Sequence, residues 1–386
     1  MLCVFHALQM SLFPMAIIGL FYKRQIGMDL ADIFLLQSVF GLFVALFEFP
    51  SGYLADRLGY RLTLVVAALG GSVGWALYAM ASTFAGVAVA EAVLGISLSL
   101  VSGADSAMLY ESLHARGEAL RFTLWSGRMK FWGQTAEGTA ALSAGALYLL
   151  TPRAPFVAQS LIWIVGIWVA LRLVEPQSAE PTRQRGGHLH EMRVLVHRAF
   201  VADRRLRAIF LLTIVMGMST YLPVWVITQY AALEGLPDGY QGALWAAANY
   251  AVALGALASN RTRRRLGLYL AIALCIGLVV AGYVSLALLQ GTLVGFLYLL
   301  MTFARGIFAP MLSHAEHDLI PSGDRAGMIS LRSLLFRASF LVIGPLVGRA
   351  FESYGMRPVF LGLGVSFLVV GGLALLYVRR VDAAPS

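Results

Sequence analysis

Residues 62–81 read LTLVVAALGGSVGWALYAMA, twenty positions without one charged side chain. A helix of that length rises 1.5 Å per residue and crosses the roughly 30 Å hydrocarbon core of a bilayer. The stretch has eleven companions. Apolar runs of the same kind cover 2–22, 32–54, 84–107, 131–151, 155–173, 208–229, 240–258, 267–288, 292–313, 328–349 and 358–378. Lipid offers no partner to an unpaired N–H or C=O, so each run is expected to be an α-helix. The fold class that follows is an all-α membrane protein with twelve transmembrane helices. Composition agrees: 59% of the 386 residues are hydrophobic and 13% are charged, against about 45–50% and about 25% in soluble domains. A soluble enzyme, a disordered chain and a fibrous one are excluded. A β-barrel is disfavoured, because its strands alternate in segments of about 10 residues.

The net charge of +9 points to basic loops held on the cytoplasmic side of a membrane, not to nucleic acid. With both ends placed in the cytoplasm, 22 of the 29 Lys and Arg residues fall on the inner side, and Lys23, Arg24, Arg153, Arg349 and Arg357 fall outside. Arg305 and Arg337 lie within spans. The expected location is therefore the inner (cytoplasmic) membrane, multi-pass, with both termini cytoplasmic. The N-terminal run has no basic start and no small-residue cleavage pattern, so it reads as a first span and not as a signal peptide. Cys3 and Cys275 both sit in apolar runs, which rules out a disulfide framework. No His/Cys spacing suggests a metal, and no Walker A loop suggests ATP; neither metal nor cofactor is expected. The polar stretch 175–207 divides the spans six and six. It is expected to be a cytoplasmic linker between an N-terminal bundle, 1–174, and a C-terminal bundle, 208–386.

The two halves match at a constant offset of 203. Gly52, Leu54 and Ala55 pair with Gly255, Leu257 and Ala258; Gly103, Met108 and Leu109 pair with Gly306, Met311 and Leu312; Gly145 pairs with Gly348. Repeated six-helix halves are the architecture of a rocking transporter. After the second run comes Gly52-Tyr-Leu-Ala-Asp56-Arg57-Leu-Gly59-Tyr-Arg61. This resembles the signature loop of the major facilitator superfamily. The segment Ser102-Gly-Ala-Asp-Ser-Ala-Met-Leu-Tyr-Glu-Ser-Leu113 is similar to one in drug-efflux-like bacterial members. Arg325-Ala-Gly-Met-Ile-Ser-Leu-Arg332, leading to Gly344-Pro345-Leu-Val-Gly348, is similar to their eleventh helix. The resemblance implies the fold of that superfamily, two pseudo-symmetric six-helix bundles. It also implies a latch in which Gly52, Asp56, Arg57, Gly59 and Arg61 hold the outward-open state, with Asp56 engaging span eleven. Asp105, at the end of span four, is an expected partner of Arg57 or Arg61.

Ionisable residues inside spans mark function, because a charge facing lipid is costly. Glu48, Glu91 and Glu137 lie inside spans two, four and five. Desolvation favours the neutral form of such a carboxyl group, so it can carry a proton near neutral pH. Glu48 and Glu137 lead as proton-coupling residues, with Glu91 third. Arg305 and Arg337 are candidates for an anionic group on a substrate. Polar and aromatic residues recurring at helical spacing are further substrate-binding candidates: His6 and Gln9 (with Phe13) in span one, Gln37 in span two, and Gln134 beside Glu137 in span five. Tyr221, Trp225 and Gln229 recur every four residues in span seven, as do Gln241, Trp245 and Asn249 in span eight.

These readings converge on a monomeric secondary transporter, not an enzyme, whose partners are a small-molecule substrate, protons and the lipid bilayer. Proton-coupled export of a small organic solute is the leading expectation. Import or facilitated passage of an anionic metabolite or siderophore is the alternative. A membrane-bound enzyme built on His314, Glu316, His317 and Asp318, or a non-transporting receptor, represents the other classes.

Overall fold

The structure is a computed structural model and describes residues 1–118, 121–176, 203–320 and 325–383. All its elements are helical, with no strand among the described residues. In chain order the helices are α1 Leu2–Gln9, α2 Ile18–Phe21, α3 Leu30–Leu58, α4 Tyr60–Met80, α5 Phe84–His114, α6 Phe122–Leu150 and α7 Ala154–Leu171. Then follow α8 Arg204–Tyr221, α9 Ile227–Leu233, α10 Gln241–Leu288, α11 Leu299–Leu319, α12 Arg325–Tyr354 and α13 Met356–Ala383. Nine helices among the described residues are long and apolar enough to cross a membrane, or ten when the bent N-terminal pair counts as one span. The stretch Asp238–Leu288 enters that count once, although Gly267 breaks it with φ 72° and ψ 177°. Only glycine adopts that backbone readily.

Two expected spans are not continuous. The run 2–22 is interrupted after Gln9; a 3₁₀ turn, Phe13–Ala16, precedes α2, and the segment Ile18–Ile26 is bent by 46° from Leu2–Ala16. Pro14 has no N–H to give and cannot continue the ladder. The Phe13 N–H donates both to the Ser11 carbonyl at 3.0 Å and to Gln159 Oε1 of α7 at 3.2 Å. The expected shared face of His6, Gln9 and Phe13 is therefore cut between its second and third members. The run 208–229 breaks in the same way, with a 3₁₀ turn Leu222–Trp225 built on Pro223 between α8 and α9. Pro14 and Pro223 are 209 positions apart, not 203, so the spacing from proline to signature glycine differs between the halves. Elsewhere the helices outrun their apolar cores: α3 continues to Leu58, α5 to His114, and α6 starts at Phe122. Hydropathy reports the thickness of hydrocarbon, and a helix can continue past it into water.

The chain forms two compact units, Met1–Thr182 with Pro237–Asn249, and Arg183–Leu236 with Tyr250–Ser386. In the first, α5 packs on α3 and α4, and α4 packs on α7. In the second, α8 is the hub for α11 and α13. Outward side chains are apolar: Leu150, Leu161, Ile164, Leu346 and Leu373 are exposed, and Leu257 is 80% exposed. Such a surface suits acyl chains.

Glycine sets the closest approaches. In the first unit a Cβ on Gly242 would stand 2.0 Å from the Ala141 carbonyl oxygen, and one on Gly145 would stand 2.5 Å from that of Gly239. In the second, a Cβ on Gly255 would meet the Phe303 oxygen at 2.2 Å, and one on Gly306 would meet that of Val252 at 2.1 Å. Backbones this close need small residues, as in other membrane helix pairs. Gly242→Ala and Gly306→Ala are expected to cost about 1–3 kcal/mol or more by overpacking. Gly277→Ala, with nothing within 4 Å, serves as the neutral control. Thermal unfolding in detergent micelles measures all three.

Polar loops of the second unit are tied by Glu234. It receives Arg357 Nη2–H at 2.6 Å and the Gly291 N–H at 3.1 Å. Partial burial alone would raise its pKa; the Arg357 hydrogen bond, the Gly291 amide and the guanidinium charge outweigh burial and hold the carboxyl below the ordinary range. A depressed carboxyl stabilises the fold above its unfolded pKa, near 4.3, and loses that contribution as pH falls through the lower folded value. Glu234→Gln should therefore flatten the acid limb of the stability–pH curve below about pH 4, leaving its neutral shape unchanged. An unaltered acid limb would contradict this.

Candidate functional site

Glu137 lies on α6, 7% exposed. Its Oε1 accepts from Trp245 Nε1 at 3.0 Å and from Asn249 Nδ2 at 3.4 Å; its Oε2 accepts from Gln134 Nε2 at 3.3 Å. Asn249 Nδ2 also donates to the Trp245 carbonyl at 3.1 Å, which holds one turn of α10 against the acid. Four residues singled out from the sequence thus meet at one carboxyl group. The reason is local: Gln134 and Glu137 are one turn apart on α6, Trp245 and Asn249 are one turn apart on α10, and the Gly145 and Gly242 contacts bring those helices together. Gln241, one turn before Trp245, is fully buried, and neither amide atom has a partner among the described residues.

Glu91 forms a second cluster, 5% exposed. Gln37 Nε2 donates to its Oε1 at 2.8 Å, Tyr22 Oη at 3.2 Å, and Tyr78 Oη at short range. Tyr22 and Tyr78 share a further hydrogen bond of 2.7 Å, and Gln37 also reaches Tyr22 Oη at 3.3 Å. The π turn Tyr22–Ile26 and helices α3, α4 and α5 each contribute. Gln37 therefore serves Glu91, one of the acids inside the first unit. Glu48, expected on the same face as Gln37, is half-buried, and its carbonyl accepts from Ser51 Oγ at 2.7 Å.

Asp105 meets His6, whose Nδ1 is 3.5 Å from Oδ2. That distance makes an ion pair only when the imidazole is protonated. In the signature loop, Gly59 has φ 85°, which a side chain rarely tolerates. The backbone N–H groups of Tyr60 and Arg61 donate to the two oxygens of Glu175 at 2.7 and 2.8 Å. A carboxylate does cap a helix here, at the start of α4 where the dipole favours it. It comes from the segment after α7 and not from the loop itself. Arg57 is exposed. The side chains of Gly52 and Asp56 lie outside the described residues.

In the second unit, Tyr221 packs edge-on to Trp225, Phe336 and Phe340, with ring centroids 5.8, 5.4 and 5.0 Å away. The Nε1 of Trp225 and the Nε of Arg337 are buried with no acceptor among the described residues. Gln229 is buried as well. Arg305, grouped with Arg337 from the sequence, is exposed. The acid–histidine cluster splits. His314 and Asp318 form an exposed pair at 2.8 Å, whereas Glu316 turns inward to Arg332 at 3.6 Å. No group of three or more His, Cys, Asp or Glu residues suited to a metal occurs among the described residues.

The sequence reading missed Tyr22, Tyr78, Glu175 and Arg332. A signal existed for the first two: a phenol in a membrane helix needs a hydrogen-bond partner, and so does a buried acid. Nothing in the spacing of residues 22, 78 and 91 pairs them, because the pairing is tertiary.

The sequence profile of the Major Facilitator Superfamily matches residues 1–322. No curated protein sequence matches. Among solved structures, a mutant of nucleoside transporter NupG superposes with a TM-score of 0.84 at 14% identity, covering 97% of this chain and 98% of that one. A POT family transporter in complex with 5-aminolevulinic acid gives a TM-score of 0.76 at 15% identity, covering 98% and 95%. A bacterial homolog of the human lysosomal transporter Spinster, inward-facing and occupied, gives 0.70 at 14% identity, covering 99% and 95%. At these identities the likeness is one of fold.

Tyr78→Phe and Tyr22→Phe each remove a donor from a buried carboxyl group. Each should lower stability by about 1–3 kcal/mol, and the double variant by less than the sum, since the two share one network. His314→Ala, at an exposed pair, should leave the melting temperature unchanged. Thermal unfolding of the purified protein checks this set.

Proposed function

This chain is a member of the major facilitator superfamily, and on that premise we propose that it is a secondary active transporter which exports a small organic solute in exchange for protons. Twelve spans, six in 1–174 and six in 208–386, cross the inner membrane, with both termini and the linker 175–207 in the cytoplasm. Two bundles expose the solute site to one side and then the other. The family and the transporters that share the fold support transport. The carboxyl group of Glu137 supports the coupling: it is buried inside a helix bundle, and Gln134, Trp245 and Asn249 donate to it.

Such a group exists in two forms that bind differently. Ionised, it accepts from Trp245 and Asn249 together. Protonated, it becomes a donor, and its acceptor capacity falls. The donors lie on α10, whose first turns belong to one unit and whose remainder belongs to the other. Loading and unloading one proton therefore changes what fastens that helix to α6. Glu48 and Glu91 are the other candidate carriers. Glu91 is held by three donors inside the first unit, an arrangement suited to bracing α3, α4 and α5. The signature loop, with Gly52, Asp56, Arg57, Gly59 and Arg61, is assigned the role of a conformational latch. The Gly59 turn and the Glu175 cap favour a fixed loop geometry there.

Reconstituted proteoliposomes test the reading. Concentrative flux of solutes from an amphipathic library should appear only under an imposed pH gradient, and Glu137→Gln should abolish the coupling. Gradient-independent concentrative flux, or wild-type coupling in both Glu137→Gln and Glu48→Gln, would sink it.

A further inference from the structure

Arg337 stands twelve residues from the start of α12 and seventeen from its end. α12 outruns the apolar stretch Ser330–Tyr354, and at 1.5 Å per residue Arg337 lies roughly 10 Å inside that stretch. A guanidinium so placed needs a counter-charge. Two described acids of the second unit are held by other arginines: Glu316 lies 3.6 Å from Arg332 and Glu234 is 2.6 Å from Arg357. Among the described residues, the Nε–H of Arg337 is buried without an acceptor, and so is the Nε1–H of Trp225, a residue only 7% exposed. A buried donor left unmade is destabilising, so two of them in one region point to an acceptor that the chain itself does not provide.

The surroundings define the rest of the ligand. Phe336 and Phe340 flank Arg337 on α12, and both rings pack edge-on to Tyr221, which packs in turn on Trp225. Donors and aromatic edges thus occur side by side on α8, the turn Leu222–Trp225 and α12, all in the second unit.

We propose that Arg337 and Trp225 bind the carboxylate of an aromatic acid whose ring packs among Tyr221, Phe336 and Phe340. This names the substrate class and rests on the transport reading above. Arginine suits the task because its charge is permanent and its planar fork matches a carboxylate. The tryptophan N–H adds a donor without charge. A bound water would satisfy Trp225 but would leave the guanidinium without a counter-charge.

The test uses the full chain in detergent micelles, with 3-phenylpropionate, its primary amide and 3-phenylpropylamine as probes. Binding is read as thermal stabilisation against probe concentration. The acid should bind at least about tenfold more tightly than the amide, since a hydrogen bond to a charged group is worth more than a neutral one; the amine should not stabilise the protein. Arg337→Gln should remove the acid's advantage and leave the amide unchanged. Trp225→Phe, which deletes the donor and keeps a ring, should weaken acid and amide alike. Should Arg337→Gln not fold, Arg337→Lys keeps the charge and lacks Nε; it should show an intermediate loss for the acid alone. Equal binding of acid and amide, preferred binding of the amine, an acid advantage that survives in Arg337→Gln, or no binding of any probe at millimolar concentration overturns the proposal. Proton-driven flux of some other solute, without preference for acids, would remove this subsite and leave transport standing. Absence of flux for every solute would remove the transport reading while binding here was still measurable.

Discussion

Hydrocarbon supplies no hydrogen-bond partner, so a polar group carried into a membrane helix must find one in its own helix, as Ser38 does at the Phe34 carbonyl, or on a neighbouring one. That constraint organises the interior. Tyr283 Oη donates to the Ser219 carbonyl at 2.8 Å, Tyr230 Oη to that of Leu286 at 2.6 Å, Ser97 Oγ to that of Ala67 at 2.7 Å, and Ser259 Oγ to that of Ile307 at 2.8 Å. Each bond selects one helix pair from many that are equally apolar. Glycine contacts then set how near the pair can come. Glu91 and Glu137 are the extreme cases, because a carboxyl group demands several donors at once, and each assembles them from distant parts of the sequence. Among the described residues, several buried donors remain without acceptors, Trp225 and Arg337 among them.

The membrane-spanning, all-helical character was legible because length and charge depletion are local properties, whereas nine helices, or ten with the bent pair, qualify as spans among the described residues where the runs predicted twelve. The repeat was legible in part: Gly255 and Gly306, paired at one offset with Gly52 and Gly103, prove to be each other's contact in the second unit. The spacing of Gln134 with Glu137, and of Trp245 with Asn249, correctly marked polar faces. That these faces meet was not readable, since it depends on a helix crossing fixed by Gly145 and Gly242. The breaks at Pro14 and Pro223 were hidden because proline is common in membrane helices, and the apolar run continues through it unmarked. Asp105 was matched with Arg57 or Arg61 of the signature loop, and the structure places His6, 99 positions earlier, 3.5 Å from it. Arg305 and Arg337 looked alike in sequence and differ in exposure, Arg305 being exposed and Arg337 half-buried, because helical phase within a packed bundle decides how far each is covered.

The account of transport needs one group whose chemical state alters a helix contact. Glu137 meets that requirement through two donors on α10, a helix divided between the units. The proposed subsite at Arg337 and Trp225 would place an anionic solute in the second unit. A proton carrier in one unit and a solute anchor in the other is an economical arrangement for exchange, since each ligand can bias the state that the other requires.

The most direct test counts protons. In weakly buffered detergent solution containing a pH indicator, a transported solute is added to the purified protein, and the protons released per solute bound are read. Exchange at Glu137 predicts release from the wild type and none from Glu137→Gln, with solute binding retained in both. Equal release from the two proteins, or none from the wild type, would contradict it.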